Sequence, residues 1–286
     1  MRKRLSILLI LTMLAVAALT GCSTPKAEVP ANSEVATPSG KDTLVVGLEA
    51  GYAPFNWTQM DDSNGGVPIQ GATEYAGGYD VEIAKRIAEG LGKELVIVKT
   101  EWDGLLPALQ SGVIDAIIAG MSPTPERLEE IDFSDFYYTS DLVMVVKNGG
   151  GYENATSIQD FSGAKVTGQL NTSHYKVIDQ IDGVAKEPAF DNFTAMRVAL
   201  ESGMIDAYVS ERPEGISASA ANENFIMVDF EEGKGFEASV EDSAVSVGLQ
   251  KGSELTEKIN EILAGISEEQ RQQIMNDAVL NQPAAN

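Results

Sequence analysis

Basic residues are scarce in this chain. Its 286 residues carry 20 Lys+Arg against 43 Asp+Glu, a formal charge of −23 at pH 7. A surface of that sign repels nucleic acid and anionic headgroups, which argues against a nucleic-acid partner. Cysteine and histidine are scarcer still, one of each. A single cysteine forbids an intrachain disulfide, so stability has to come from a buried core. A single histidine cannot alone build a metal site or a nucleophile triad, and no phosphate loop, metal pair or nucleophile elbow is present. No cofactor and no metal are therefore expected. After residue 18 no apolar run is long enough to span a membrane. The whole chain is 43% hydrophobic and 22% charged, as in ordinary soluble globular proteins.

The N-terminus reads as a targeting signal. Arg2, Lys3 and Arg4 precede an apolar run over residues 5–18, too short for a spanning helix. The run ends in Leu19-Thr20-Gly21-Cys22, which resembles the lipobox of bacterial lipoproteins. That resemblance implies cleavage after residue 21 and lipidation of Cys22. Residues 22–40, rich in Pro, Ala, Ser and Thr, cannot bury a core and read as a flexible tether. Its end-to-end distance would be roughly 23 Å. Removing residues 1–21 takes away three basic residues, leaving 17 Lys+Arg against 43 Asp+Glu, or −26. About 265 residues remain (286 less 21), enough for roughly two domains of about 150 each.

Strand and helix patterns alternate along the remainder. Residues 43–48 form a short β-rich run. Asp80 opens a helix with Val81, Ile83, Ala84, Ile87, Ala88 and Leu91 on one face, closed by Gly92. Residues 95–98 and 114–119 read as buried strands, with a helix between them capped by Asp103 and running through Gln110. Such alternation predicts an α/β fold with largely parallel sheets. One segment recurs. Ala108-Leu109-Gln110-Ser111-Gly112-Val113-Ile114-Asp115-Ala116 returns 91 residues later as Ala199-Leu200-Glu201-Ser202-Gly203-Met204-Ile205-Asp206-Ala207. Each copy reads as a helix end, a glycine turn and a strand start, which predicts two similar lobes. Ligands of open α/β sheets sit beyond the carboxyl ends of the strands. The segments after the two copies, Ala119-Gly120-Met121-Ser122 and Ser210-Glu211-Arg212-Pro213, would then line one cleft from opposite sides.

Candidate ligand residues follow from that layout. Thr124-Pro125 is a helix start, placing Arg127 in the first turn beside free N–H groups and the Ser122 hydroxyl. That combination suits a carboxylate, which Arg grips bidentately; the alternative is a surface arginine paired with Glu126 or Glu130. In the second lobe, Asn171, Thr172, Ser173 and His174 open a helix over residues 173–181 after a strand at 165–167, with Thr172 as its cap. His174 alone reads as an exposed helix residue. Glu211 suits an ammonium group, or is a solvated loop acid. Tyr52, Phe55 and Trp102 can enclose a ligand and stack on a cation.

These residues sit in a wider pattern: Val46-Gly47-Leu48-Glu49 with Tyr52-Ala53-Pro54-Phe55, then Gly78-Tyr79-Asp80-Val81-Glu82-Ile83-Ala84, Trp102-Asp103-Gly104-Leu105-Leu106-Pro107-Ala108-Leu109, residues 114–122, Arg127 and Ile131-Asp132-Phe133-Ser134. Together they resemble the amino-acid-binding proteins of bacterial ABC importers, the group of histidine-, lysine/arginine/ornithine- and glutamine-binding proteins, over residues 44 to about 274. The resemblance implies a two-lobed periplasmic binding protein fold with two crossover hinge strands. Lobe 1 would hold 41–139 plus 236–286, and lobe 2 would hold 140–235. It implies no catalysis, and a monomer that delivers an amino acid to a membrane permease while held to the membrane by lipid alone.

Residue by residue, the resemblance puts the ligand carboxylate on Arg127, helped by Ser122 and the backbone at Gly120 and Thr172. The ligand lies between Tyr52 and Trp102, its ammonium on Glu211 and its side chain near Glu49. Ala119, Met121, Asn171, Ser173 and His174 complete the site. Departures are Glu211 where Asp is usual, Asn171 where Gly is common, His174 where Gln is common, and Ala119-Gly120 in place of a serine pair. The stretch 61–76 is longer than usual and is expected to add negative charge at the cleft mouth. With Glu49, that charge favours a cationic amino acid, lysine or arginine, over a polar one such as glutamine. The alternatives are a dehydratase-like cleft enzyme on the same fold and a ligand sensor.

Overall fold

The computed structural model describes residues 42–283; the signal segment, Cys22 and the tether lie outside that range. Strand β1 (Thr43–Leu48) opens the fold. A small antiparallel ribbon follows, of β2 (Gly51–Tyr52), β3 (Asn56–Gln59), β4 (Val67–Pro68) and β5 (Tyr75–Gly77). Helix α1 (Tyr79–Gly90) buries Val81, Ile83, Ala84, Ile87 and Ala88 on one face and carries Asp80 and Glu82 in its first turn, where the helix dipole favours acids. Then come β6 (Glu94–Lys99), α2 (Leu105–Gln110), β7 (Ala116–Ile117), α3 (Pro125–Glu130) and β8 (Asp132–Tyr138).

The second half repeats the arrangement. It contains β9 (Leu142–Lys147), β10 (Lys165–Thr167), α4 (Ser173–Val177), β11 (Ala185–Lys186), α5 (Phe193–Ser202), β12 (Ala207–Glu211), α6 (Arg212–Ala221) and β13 (Phe225–Val228). The chain closes with α7 (Val240–Ser243), β14 (Val245–Leu249), α8 (Leu255–Ala264) and α9 (Glu268–Asn281).

Two five-stranded sheets result, ordered β6-β1-β7-β14-β8 and β11-β10-β12-β9-β13. Their pairing is the same strand for strand. In each, the first three strands are parallel and the last two run antiparallel to their neighbours. The repeated segment ends at β7 in one sheet and at β12 in the other, the central position of both. The repeat is thus the sequence trace of two lobes of one topology. β1, β9, β12 and β14 are buried almost throughout, because both faces of each sheet are covered.

The chain crosses between sheets through residues 139–141, almost as one strand, and returns through residues 229–244, which include α7. One apolar cluster fills the first lobe and continues into the second through Phe193, Met196 and Tyr208; a smaller one around Phe161, Val166 and Val209 fills the rest of the second lobe.

Several local expectations are corrected. β7 spans two residues rather than 114–119. Asp103 does not cap α2: its carboxylate accepts a bond from Asn171 Nδ2 at 3.0 Å, across the cleft. The helix expected over 173–181 is α4 followed by a 3-10 turn, Ile178–Gln180. Residues 61–76 line neither chamber of the cleft. They build β4 and the start of β5, join β6 through Ile69 opposite Ile97, and carry Asn64 and Gly65 toward α9 and α1.

Candidate functional site

The carboxyl ends of β7 and β12 face each other across the cleft, and the side chains just beyond them build the site. After β7 the chain turns at Gly120, whose φ of 62° lies in the left-handed region. A Cβ there would stand 2.7 Å from the Tyr52 ring, so only glycine lets the turn pass under Tyr52. A buried relay holds the turn. The Gly120 N–H donates to Tyr137 Oη (3.1 Å), Tyr137 donates to Asp80 Oδ1 (2.7 Å), and Asn56 donates to Asp80 Oδ2 (2.8 Å). Burial pushes Asp80 up to about 6, against the hydrogen bonds that favour its charged form.

The same loop aims Arg127. Thr124 caps α3, its Oγ1 accepting the Arg127 N–H at 3.5 Å, with Pro125 at the first helical position. The guanidinium turns back to donate to Ser122 O (2.8 Å) and reaches across the cleft to Asn171 O (2.9 Å). It lies 5.1 Å from the centroid of Trp102, within cation–π range. Burial lowers it to about 10, so it stays charged at neutral pH. Neither Glu126 nor Glu130 forms an ion pair with it among the described residues; Glu126 instead meets Lys176 of the other lobe at 2.6 Å.

From the second lobe, Glu211 ends β12 and stands before Pro213 at the start of α6. Its side chain makes no cap bond and is 1% exposed. Tyr52 donates its phenol proton to Glu211 Oε2, and His174 Nε2 lies 2.9 Å from Oε1. Burial drives the two in opposite directions: Glu211 up to about 8, and His174, with Arg127 also opposing its charge, down to about 3. His174 is thus a buried neutral base, not the exposed helix residue expected from sequence. A third ionisable group, Glu49, sits behind Gln169. The Gln169 amide donates to Glu49 Oε2 (3.1 Å) and to Asp191 O (3.1 Å), and burial raises Glu49 to about 7.

Two chambers lie along the cleft. The inner one is bounded by Tyr52 and Arg127 on one side and by Gln169, His174 and Glu211 on the other, and has a volume of about 10 Å³. That is room for about one water. An amino acid enters it only if the lobes part. The outer chamber, about 560 Å³, opens at the mouth between Trp102, Arg127 and Asn171, with Asp103, Glu126 and Glu130 on its wall.

Residues 44–280 match the model of the bacterial extracellular solute-binding proteins, family 3. The chain belongs to that family. Among its relatives is the arginine-binding extracellular protein ArtP of Bacillus subtilis, 30% identical over 256 residues that cover 86% of each chain. An amino acid ABC transporter substrate-binding protein of Streptococcus pneumoniae, solved with L-arginine, superposes with a TM-score of 0.71 at 27% identity, covering 84% of this chain and 95% of its own. An ancestral arginine-binding protein solved with glutamine gives 0.67 at 32% identity, covering 82% and 97%. These relatives are binding proteins, not enzymes, and the dehydratase alternative falls with them.

Within this solute-binding protein the expected residues divide into groups. Tyr52, Trp102, Gly120, Ser122, Arg127, Thr172, Ser173, His174 and Glu211 line the inner chamber. Met121 and Asn171 line the outer one. Glu49 and Ala119 line neither; Ala119 is fully buried behind the loop.

Some roles change. The Gly120 N–H is taken by Tyr137, so it is not a carboxylate donor. Thr172 does not cap α4: its hydroxyl donates to Gln169 O. The Ser122 and Ser173 hydroxyls both donate to Asp242 O, on the segment that returns between the lobes. Tyr52, expected to help enclose the ligand, stacks on Phe193 (4.3 Å) and Phe55 (4.9 Å). Asn171 adopts φ 58°, a left-handed conformation that asparagine tolerates best after glycine. Gln169 was not anticipated, although the polar residue two positions beyond β10 was a signal for it.

Proposed function

We propose that this protein captures an amino acid between its lobes, cationic in the first instance (lysine or arginine), and hands it to the permease of an ABC importer. The observation that carries the reading is a guanidinium and a carboxyl group held on opposite sides of one chamber. Arg127 stands at the mouth side, fixed by Ser122 and Asn171, and Glu211 is buried at the far side. A zwitterion answers both, carboxylate to Arg127 and ammonium to Glu211. The preference for a cationic side chain is supported by Glu49, a buried acid whose Oε1 has no partner among the described residues, and by the acids of the outer chamber. Relatives named for arginine point the same way.

Burial of the ligand on lobe closure and release on opening is the cycle such a cleft supports. The protein acts as a monomer, lipid-anchored through Cys22 on the outer face of the membrane. No helix of the described residues is long and apolar enough to cross one. Cys22→Ala should release the protein from the membrane fraction.

A thermal-shift screen of the protein against the twenty amino acids, ornithine, citrulline and cystine tests the reading. A ligand at 100 times its Kd adds about 2.7 kcal/mol. A selective shift with arginine or lysine is expected. A shift only with a neutral amino acid would discard the cationic preference, and no shift with any would overturn the reading.

A further inference from the structure

Glu211 differs from an ordinary ligand carboxylate in one respect: among the described residues no cation pairs with it. Oε2 accepts from the neutral phenol of Tyr52 on β2. From α4, His174 approaches Oε1 to 2.9 Å, yet it is 5% exposed, and burial with the nearby Arg127 charge keeps it unprotonated. From α6, Glu214 adds a like charge, itself gripped by Arg197 at 2.8 Å and by Tyr208. On the segment leading into the strand paired to it, Asp141 is committed to Arg212. Arg127 on α3 is committed to the two backbone carbonyls already described. An acid so placed holds its proton until a cation arrives.

Resting on the amino-acid reading above, we infer that the ligand's ammonium group is the missing counter-ion of Glu211, and that capture of an amino acid expels one proton from this carboxyl to solvent. The step balances. A neutral Glu211 carboxyl and a ligand ammonium become a carboxylate–ammonium ion pair, and the one proton lost from the carboxyl leaves to water. His174 is a positioning residue here. Its Nε2 stands 2.9 Å from Oε1 as part of a neutral ring, so it packs against the carboxyl without acting as its counter-ion. Affinity then becomes pH-linked. It weakens by up to about tenfold for each unit of acidification below the point where Glu211 takes its proton.

Isothermal calorimetry with L-arginine at pH 7, in buffers of different ionisation enthalpy, reads the proton directly. Release close to one proton per arginine is expected from Glu211, and Glu211→Gln should lower the release by that amount. Binding with no proton release, or an undiminished release in Glu211→Gln, overturns the inference while leaving the amino-acid reading intact. Binding by none of the amino acids overturns both.

Two further readouts do not need the variant to bind. Infrared difference spectra with 13C-labelled glutamate should show loss of a protonated carboxyl band on adding arginine; no such loss overturns the inference. His174 is the only histidine, so its 15N imidazole signals are unambiguous. They should stay neutral down to pH 5. A titration near pH 6.5 would make His174 the counter-ion and sink the proposal.

Discussion

Acidification from pH 8 to pH 6 should stabilise this protein, the reverse of what carboxylates usually do. A surface acid paired in the fold has a lowered pKa, and its stabilisation is lost as pH falls. Here three buried acids are raised instead: Glu211 to about 8, Glu49 to about 7 and Asp80 to about 6. Below those values the folded chain binds protons that the unfolded chain, with ordinary carboxylates, does not. Protonation therefore favours the fold, and the effect grows as pH falls through each folded value. His174 opposes it. Its folded value is depressed to about 3, so the unfolded chain gains a proton below about 6.5 that the folded chain refuses.

Between pH 8 and 6, Glu211 contributes about 2 kcal/mol, Glu49 about 1.4 and Asp80 under about 0.5, while His174 removes about 0.8, at about 1.36 kcal/mol per proton per pH unit. The net is on the order of 3 kcal/mol, or roughly 6–12 °C in Tm for a domain of this size. Thermal unfolding of the ligand-free protein across pH 8 to 6 checks it, with Glu211→Gln removing the largest share. A Tm that stays flat or falls with acid would refute the protonation states on which both this prediction and the proton-release inference stand.

Other perturbations separate binding from folding. Arg127→Ala removes the group proposed to meet the ligand's carboxylate, and truncating one member of a buried charge pair costs about 2–5 kcal/mol. Calorimetry should show arginine binding weakened at least about 30-fold while Tm moves only a few degrees. Tyr137→Phe strips a donor from Asp80 and leaves the Gly120 N–H unpaired. Those two losses cost about 2–4 kcal/mol in chemical denaturation, and a cost below about 0.5 kcal/mol would mean the relay does not hold the turn. Gly120→Ala forces a side chain into a left-handed position and against Tyr52. Roughly 1–3 kcal/mol of destabilisation is expected, with a crystal structure showing Tyr52 displaced from Glu211.

How much of this was legible beforehand depended on range. The repeat at 108–116 and 199–207 marked the central strands of both sheets, because a helix end, a glycine turn and a strand start are local features that each lobe must solve alone. Thr124-Pro125 likewise fixed the start of α3. What misled was set by groups distant in sequence. Asp103 reads as a cap, yet Asn171, 68 residues away, claims its carboxylate. Gly120 reads as a free donor, yet Tyr137, itself bonded to Asp80, takes its N–H. The charge of an acid is the extreme case. Glu211 and Glu126 are the same residue type, each at the start of a helix. One is sealed between lobes and pushed up to about 8; the other stands in solvent beside Lys176 and falls to about 2. Nothing local to either residue separates them. Only the closing of one lobe on the other decides which of the chain's many acids holds a proton for a ligand to displace.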